Sequence, residues 1–152
     1  MKLGTIVRSI LAATLVTTAM VGASPTPAGA VNPGCGIVCD GKDPLTFRIY
    51  TGPYDWYTCG ADAQTVGWAA EVSGGYIRSS VLLRYSPRCR TAWAYTDYER
   101  YIYVERRSPH RVEDSDPNGT GQYRTRMVND AGYVSRACLH VPYGDDICTI
   151  WY

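Results

Sequence analysis

The six cysteines of this chain of 152 residues limit its fold more than any other feature. They stand at Cys35, Cys39, Cys59, Cys89, Cys138 and Cys148, all downstream of the first thirty residues. Those thirty residues have the three-part layout of a secretory leader. Lys2 and Arg8 give a positive end, and an uncharged, mostly apolar run extends from Ile10 to Ala23. Ser24-Pro25-Thr26-Pro27 then breaks any helix, because proline lacks an N–H and disfavours helix in the residue before it. Ala28-Gly29-Ala30 is the small-x-small pattern a signal peptidase accepts, and Val21-Gly22-Ala23 is a second such site. The apolar run of about fourteen residues is shorter than the roughly twenty that span a bilayer. Residues 1–30 are therefore read as a signal peptide and residues 31–152 as one domain, secreted to the extracellular side and free of the membrane after cleavage.

That compartment decides how the cysteines are read. An even number on an exported chain of this size implies a disulfide framework. Six cysteines allow fifteen connectivities, and the sequence does not choose among them. Proximity along the chain favours Cys35–Cys39, Cys59–Cys89 and Cys138–Cys148. A zinc site is not expected, since only Cys35 and Cys39 lie close together and no second close pair exists.

Between the cysteines the pattern is that of short strands. Residues 31–44 are rich in Gly and Pro and are expected to be irregular. Thr46–Tyr50 reads as a first strand, closed by Gly52-Pro53. Ala61–Val72 is ambiguous between helix and strand, and Gly74-Gly75 ends it. Tyr76–Tyr85 and Arg90–Tyr98 follow as β-branched and aromatic runs around the Ser86-Pro87 turn. In Arg100–Arg106 the period of two puts Tyr101, Tyr103 and Glu105 on one face, with Ile102 and Val104 on the other. Ser108–Gly121 is polar and reads as a long loop or a hairpin tip. Gln122–Val128 and Tyr133–Val141 read as a hairpin joined through Asn129–Gly132. Ile147–Tyr152 reads as a last strand held by Cys148. Many short strands at this spacing predict an all-β fold, a small disulfide-stapled sandwich or barrel-like domain.

Charge narrows the partners. With Lys2 and Arg8 removed, thirteen basic residues face fourteen acidic ones, which excludes the basic footprint a nucleic-acid partner requires.

From Cys59 to Ala94 the chain contains Cys-Gly-Ala-Asp-Ala-Gln-Thr-Val, Gly-Gly-Tyr-Ile and then Val81-Leu-Leu-Arg-Tyr-Ser-Pro-Arg-Cys-Arg-Thr-Ala-Trp-Ala94. This segment resembles the YjfA family of small exported Gram-positive proteins of unknown function. Its motif residues here are Arg84, Tyr85, Ser86, Pro87, Arg90, Thr91 and Trp93. The resemblance covers Cys35 to about Tyr95 and implies an exported domain with Cys59 paired to Cys89. Where it leads one to expect an acidic residue before the Leu83-Arg84-Tyr85 run, this chain has Leu82, so no carboxylate role is carried over there. A weaker similarity is to adaptor subunits of secreted antibacterial toxin particles.

No catalytic constellation stands out. His110 falls in the polar loop and His140 in an apolar strand, with neither G-x-S-x-G nor H-E-x-x-H present. Asp55, Asp62, Glu71, Asp97 and Glu105 are equivalent candidates for paired carboxylates. Asp114, Asp116 and Asn118 have the alternate oxygen spacing of a calcium loop, but Pro117 interrupts it and Thr125 stands where a bidentate Glu is needed. A hairpin turn is the reading kept, with no metal and no cofactor. Thirteen Tyr and four Trp against one Phe favour half-exposed aromatic positions. Tyr54, Trp56, Tyr57, Tyr101, Tyr103, Trp151 and Tyr152 are the candidate contact surface. Arg84, Arg88 and Arg90 beside Tyr85 and Trp93 suggest cation–π bracing of the Cys89 corner. The expected function is that of a non-enzymatic module binding another extracellular protein, as an adaptor subunit. Binding or hydrolysis of cell-wall or surface glycans is the alternative.

Overall fold

The computed structural model describes residues 34–114 and 123–152, which fall within one unit, Val31–Tyr152. The leader at residues 1–30, and Asp116 and Asn118 of the suggested calcium loop, lie outside the described residues; of Asp114 only the backbone is described. The described elements begin with a 3-10 turn (Gly36–Cys39), β1 (Ile49–Tyr50), β2 (Trp56–Tyr57), a second 3-10 turn (Cys59–Asp62) and β3 (Gln64–Ser73). Then come β4 (Tyr76–Ser86), β5 (Thr91–Tyr95), β6 (Ile102–Arg106), β7 (Arg111–Asp114), β8 (Val128–Asn129), β9 (Ser135–Leu139) and β10 (Ile147–Cys148).

Alternation along the strands explains their stacking. Ser79, Val81 and Leu83 of β4 are fully buried, whereas Ser80, Leu82 and Arg84 between them are not. Strand β6 does the same with Ile102, Val104 and Arg106 inward and Tyr103 and Glu105 outward, as a strand with one buried face must. Two antiparallel four-stranded sheets result, one ordered β3-β4-β5-β8 and the other β10-β9-β6-β7, with β1-β2 as a separate ribbon. Val81, Leu83, Ala92 and Ala94 of the first sheet meet Ile102, Val104, Ala137 and Leu139 of the second in a common core. The fold is an all-β sandwich.

Trp93 on β5 points the other way, out of the sandwich, yet is buried. The segment from residue 34 to 63 covers it, and Cys39, Cys59, Cys89, Trp93 and Met127 form a second small core. Three disulfides secure these layers: Cys35–Cys39, Cys59–Cys89 and Cys138–Cys148. The sulfurs of Cys35, Cys59 and Cys89 lie within 4.8 Å of one another, so the first two bridges touch. Gly34 reaches this corner with φ of +67°, and a Cβ there would collide with the Cys89 carbonyl oxygen.

Several expectations are corrected. Gln122–Val128 and Tyr133–Val141 do not pair as a hairpin: β8 adds to β5 in the first sheet, while β9 joins β6 and β10 in the second. The Asn129–Gly132 turn crosses from one sheet to the other because its polar groups find buried partners. Ser135 Oγ donates to Asp130 Oδ1 at 2.9 Å, and the Arg106 guanidinium donates to the Asn129 carbonyl at 3.0 Å. The polar stretch 108–121 contains a strand, β7, since β6 needs a partner on its outer edge and an edge strand tolerates charge. Ala61–Val72 resolves into a 3-10 turn and most of β3. Thr46–Tyr50 yields only the two residues of β1, because the Asp43 carboxylate ties Leu45 and Thr46 N–H groups into a turn. Strand β10 is only Ile147–Cys148, shorter than the expected Ile147–Tyr152. Beyond it the chain stays beside β9, with Thr149 N–H donating to the Ala137 carbonyl and Tyr152 and Ser135 exchanging two backbone hydrogen bonds one residue out of the β10 register.

Candidate functional site

Each sheet has an outer face, and these point to opposite sides of the sandwich. On the second sheet, alternation lifts Tyr103 and Glu105 of β6, Tyr101 just before it and Arg136 of β9 to the outside. Asp146, just before β10, links two of their neighbours. Tyr103 Oη donates to Asp146 Oδ2 at 2.8 Å, and His140 Nδ1 lies 2.9 Å from Asp146 Oδ1. The Tyr101 ring meets the His140 ring edge-on at 5.7 Å and the Tyr103 ring at 6.4 Å. At the other end of β6, Glu105 accepts from Arg136 Nε at 2.8 Å and faces His110 Nε2 at 3.2 Å. The Arg136 guanidinium lies over the Trp151 ring at 4.6 Å, with Arg107 5.9 Å from the same ring.

The ionisable groups of this face hold one another in place. Burial, then the hydrogen bond to Asp146, pushes the Tyr103 phenol up to about 12. Burial acts to raise the Asp146 carboxyl, but Tyr103, His140 and the Val141 N–H outweigh it and hold the group below the usual carboxylate range. A carboxylate orienting an imidazole through Nδ1 is half of a proton-transfer device. Here the third member is a phenol that keeps its proton at neutral pH, not an activated nucleophile.

The seven aromatic residues named from sequence do not form one surface. Tyr101, Tyr103 and Trp151 share this outer face. Tyr54, Trp56 and Tyr57 sit on the β1-β2 ribbon, where Arg48 covers Trp56 at 4.2 Å and Arg88 covers Tyr57 at 3.5 Å. Tyr152 packs its ring against Tyr85 at 5.3 Å instead. The stacking expected of Arg88 at Tyr85 or Trp93 is thus found at Tyr57. The candidate carboxylates are each engaged separately: Asp55 with Thr51, Asp62 with Ser86, Glu71 with Ser79, Asp97 with Tyr95 and Glu105 with Arg136.

The motif residues Arg84 to Trp93 form the end of β4, a turn and β5. Ser86 Oγ donates to Asp62 Oδ1 at 2.5 Å and accepts from the Cys89 N–H at 3.0 Å. Exposed Pro87 starts the turn, Arg90 leaves it with φ of +56°, and the Thr91 hydroxyl reaches Met127 Sδ at 3.4 Å. These residues build the Cys89 corner. Arg84 and Trp93 do something different. Together with Tyr95, Leu45, Ala63 and Arg124 they line a cleft of about 320 Å³ on the outer face of the first sheet. Gly60 lies in its wall, where a Cβ would collide with the Leu45 side chain.

A buried polar cluster links the N-terminal segment to the sandwich. Arg106, with 5% of its surface exposed, approaches Asp40 at 3.4 Å, and Asp40 Oδ1 accepts from the Asn129 N–H at 2.5 Å. Beside it Asp130 is pushed up to about 7 by burial, against the opposing pull of the Ser135 hydroxyl, Arg106 and Arg90. The grouped sulfurs of Cys35, Cys59 and Cys89 are all in disulfides, and no free cysteine occurs among the described residues, so they present no thiolates to a metal.

Sequence reasoning missed Leu45, Tyr95, Arg124, Arg136 and Asp146. Arg136 was within reach, since alternation along β9 places it outward and opposite Glu105. The others depend on long-range placement. Among the described residues no helix is long and apolar enough to cross a membrane. No curated protein and no solved structure matches the chain. The model of one family does match, over residues 37–138, a span that holds every residue of the cleft and both core sheets except β10 and the last residue of β9. By that match the chain belongs to the family described as "Protein of unknown function (DUF2690)".

Proposed function

We propose that this chain is a secreted, non-enzymatic module that binds another extracellular protein through the outer face of the β10-β9-β6-β7 sheet. One observation carries the reading: Tyr101, Tyr103, Arg136 and Trp151 stand on one sheet face, with Tyr103 held by Asp146, Arg136 held by Glu105 and lying over Trp151, and the Tyr101 ring against Tyr103. Tyr, Trp and Arg are the residues that dominate binding energy at protein interfaces. Side chains held before binding lose little freedom on contact. Export is supported by the leader pattern of residues 1–30 and by three disulfides, which persist in oxidising compartments.

An adaptor role, in line with the weaker similarity to adaptor subunits of toxin particles, calls for two contact surfaces. The sandwich has an aromatic face on one side and a cleft on the other. The glycan alternative draws less support, because sugar rings stack on open aromatic faces. Trp56, Tyr57 and Trp151 each already carry a guanidinium over the ring.

The test is affinity capture from culture supernatant with tagged protein. Wild type is expected to retain a stoichiometric protein partner, Trp151→Ala to lose at least about tenfold in retention, roughly 1.4 kcal/mol, and Tyr54→Ala to bind as wild type. Capture that survives Trp151→Ala and Tyr103→Ala would remove this face from the reading. Saturable sugar binding on a glycan array would overturn it in favour of the alternative.

A further inference from the structure

The cleft on the first sheet has an electrostatic feature that its shape alone does not reveal. Arg84 Nη1 donates to Thr65 Oγ1 at 2.7 Å, and Nη2 donates to the Ala63 carbonyl at 2.9 Å. Both acceptors are neutral. Among the described residues no carboxylate lies within ion-pair distance of Arg84, whereas Arg124 across the cleft is neutralised by Asp43 at 2.9 Å. The fork of Arg84 is therefore oriented without its charge being compensated, and it retains donors to spare. Beside it Trp93, buried to 2% exposure, backs the cleft, and Leu45, Ala63 and Tyr95 supply its apolar walls. Tyr95 turns its hydroxyl away to Asp97 Oδ1 at 2.7 Å, which leaves its ring to the cleft.

We propose that this cleft binds a carboxylate of a partner polypeptide together with one adjoining apolar or aromatic side chain, the carboxylate on Arg84 and the side chain between Tyr95, Leu45 and Ala63. A guanidinium matches a carboxylate with two parallel hydrogen bonds, and in a partly desolvated site such a pair is charge-assisted and directional. The volume stands at the lower end of small-ligand pockets, enough for one side chain and its acid but not for an extended oligosaccharide. The carboxylate comes from a chain terminus or from an Asp or Glu beside an aromatic residue. The proposal rests on the protein-binding reading above, and gives the module a second, opposite contact point.

The probes are 3-phenylpropionate and its amide, followed by an acetylated Gly-Gly-Phe peptide with a free C-terminus, its C-terminal amide, and an internal Asp-Phe peptide blocked at both ends. Each is titrated into the secreted, disulfide-intact protein labelled with ¹⁵N. The carboxylates are expected to shift the Trp93 indole and Arg84 side-chain signals saturably, at least tenfold more tightly than their amides, and less tightly as salt is raised. Preference for the free C-terminus over the internal Asp-Phe identifies the terminus as the source, and the reverse identifies the side chain. Arg84→Gln is expected to abolish binding. Because Arg84 also braces Thr65 and Ala63, exposed Leu45→Trp serves as a second variant that obstructs the cleft without touching the guanidinium. Equal affinity for acid and amide, or no saturable shift at millimolar probe, overturns the proposal. If probe binding holds while no partner is captured from supernatant, the site stands and the protein-partner reading falls. If capture persists unchanged in both variants while the probes fail, the partner reading stands and this site falls.

Discussion

Asp130 shows most directly how one side chain ties stability to solution conditions. Its carboxyl is pushed up to about 7 because burial penalises its charge more than Ser135, Arg106 and Arg90 relieve it. Between the unfolded value of 3.8 and about 7, the folded chain keeps a proton that the unfolded chain has already released. Stability therefore falls as pH rises through that window. Asp43 works in the opposite sense. Burial acts to raise it, but the Leu45 N–H and the Arg124 guanidinium outweigh that and hold it low, so its stabilisation is lost as pH falls into the acid range. Asp130→Asn separates the two, since the amide still accepts from Ser135 and carries no charge. The variant is expected to melt above wild type at pH 8 and to converge with it near pH 4. Each tenfold change in proton affinity is worth about 1.4 kcal/mol, a shift of roughly 3–6 °C for a domain of this size. Thermal melts of both proteins from pH 4 to 8 would show this, and a constant offset at every pH would contradict it.

At the scale of elements, β3 passes close to Thr149, the residue after β10, at Gly67. A Cβ on Gly67 would lie 3.1 Å from Thr149 Cβ and 3.2 Å from Leu83 Cβ. Gly67→Val is expected to cost about 1–3 kcal/mol through overpacking, measurable by urea unfolding. Thr149 adds a second constraint there, because its hydroxyl accepts from the Ala137 N–H at 3.1 Å. Thr149→Val conserves volume but strands that buried N–H, at a cost of about 1–3 kcal/mol. Such features mark the limit of what pattern reading reaches. The period of two along β6 was legible, and it placed Tyr101, Tyr103 and Glu105 opposite Ile102 and Val104. The pairing of β8 and β9 was not, because a four-residue turn looks the same whether it closes a hairpin or crosses between sheets. What decides is the buried partners of Asn129 and Asp130, which are Ser135 close by and Asp40 and Arg106 far along the chain. Strand β7 was hidden for another reason: an edge strand carries charge that reads as loop. In the cleft, Arg84 and Trp93 were singled out as motif residues, but Leu45 and Arg124 join them only through tertiary placement.

For the molecule as a whole, the disulfides do unequal work. Cys59–Cys89 closes a loop of 30 residues and joins the covering segment to β5's turn. In the chain-entropy account that is worth about 3–4 kcal/mol. Cys59→Ala with Cys89→Ala is expected to lower stability by that order, and Cys35→Ala with Cys39→Ala by clearly less, since its separation is only 4. Chemical denaturation of the two double variants would rank them, and an inverted order would contradict the assignment. The contact between these two bridges has a further chemical result. Once a small thiol opens Cys35–Cys39 and leaves Cys35 as thiolate, that sulfur already stands within 4.8 Å of both partners of the neighbouring bond. Attack on Cys59 or Cys89 forms a new S–S bond and releases the other as thiolate, with no net change in oxidation. Brief mild reduction followed by alkylation and peptide mapping should therefore find Cys35 bridged to Cys59 or Cys89 in a fraction of molecules. The corner that locks the fold would then also be the place where its connectivity is most easily rewritten.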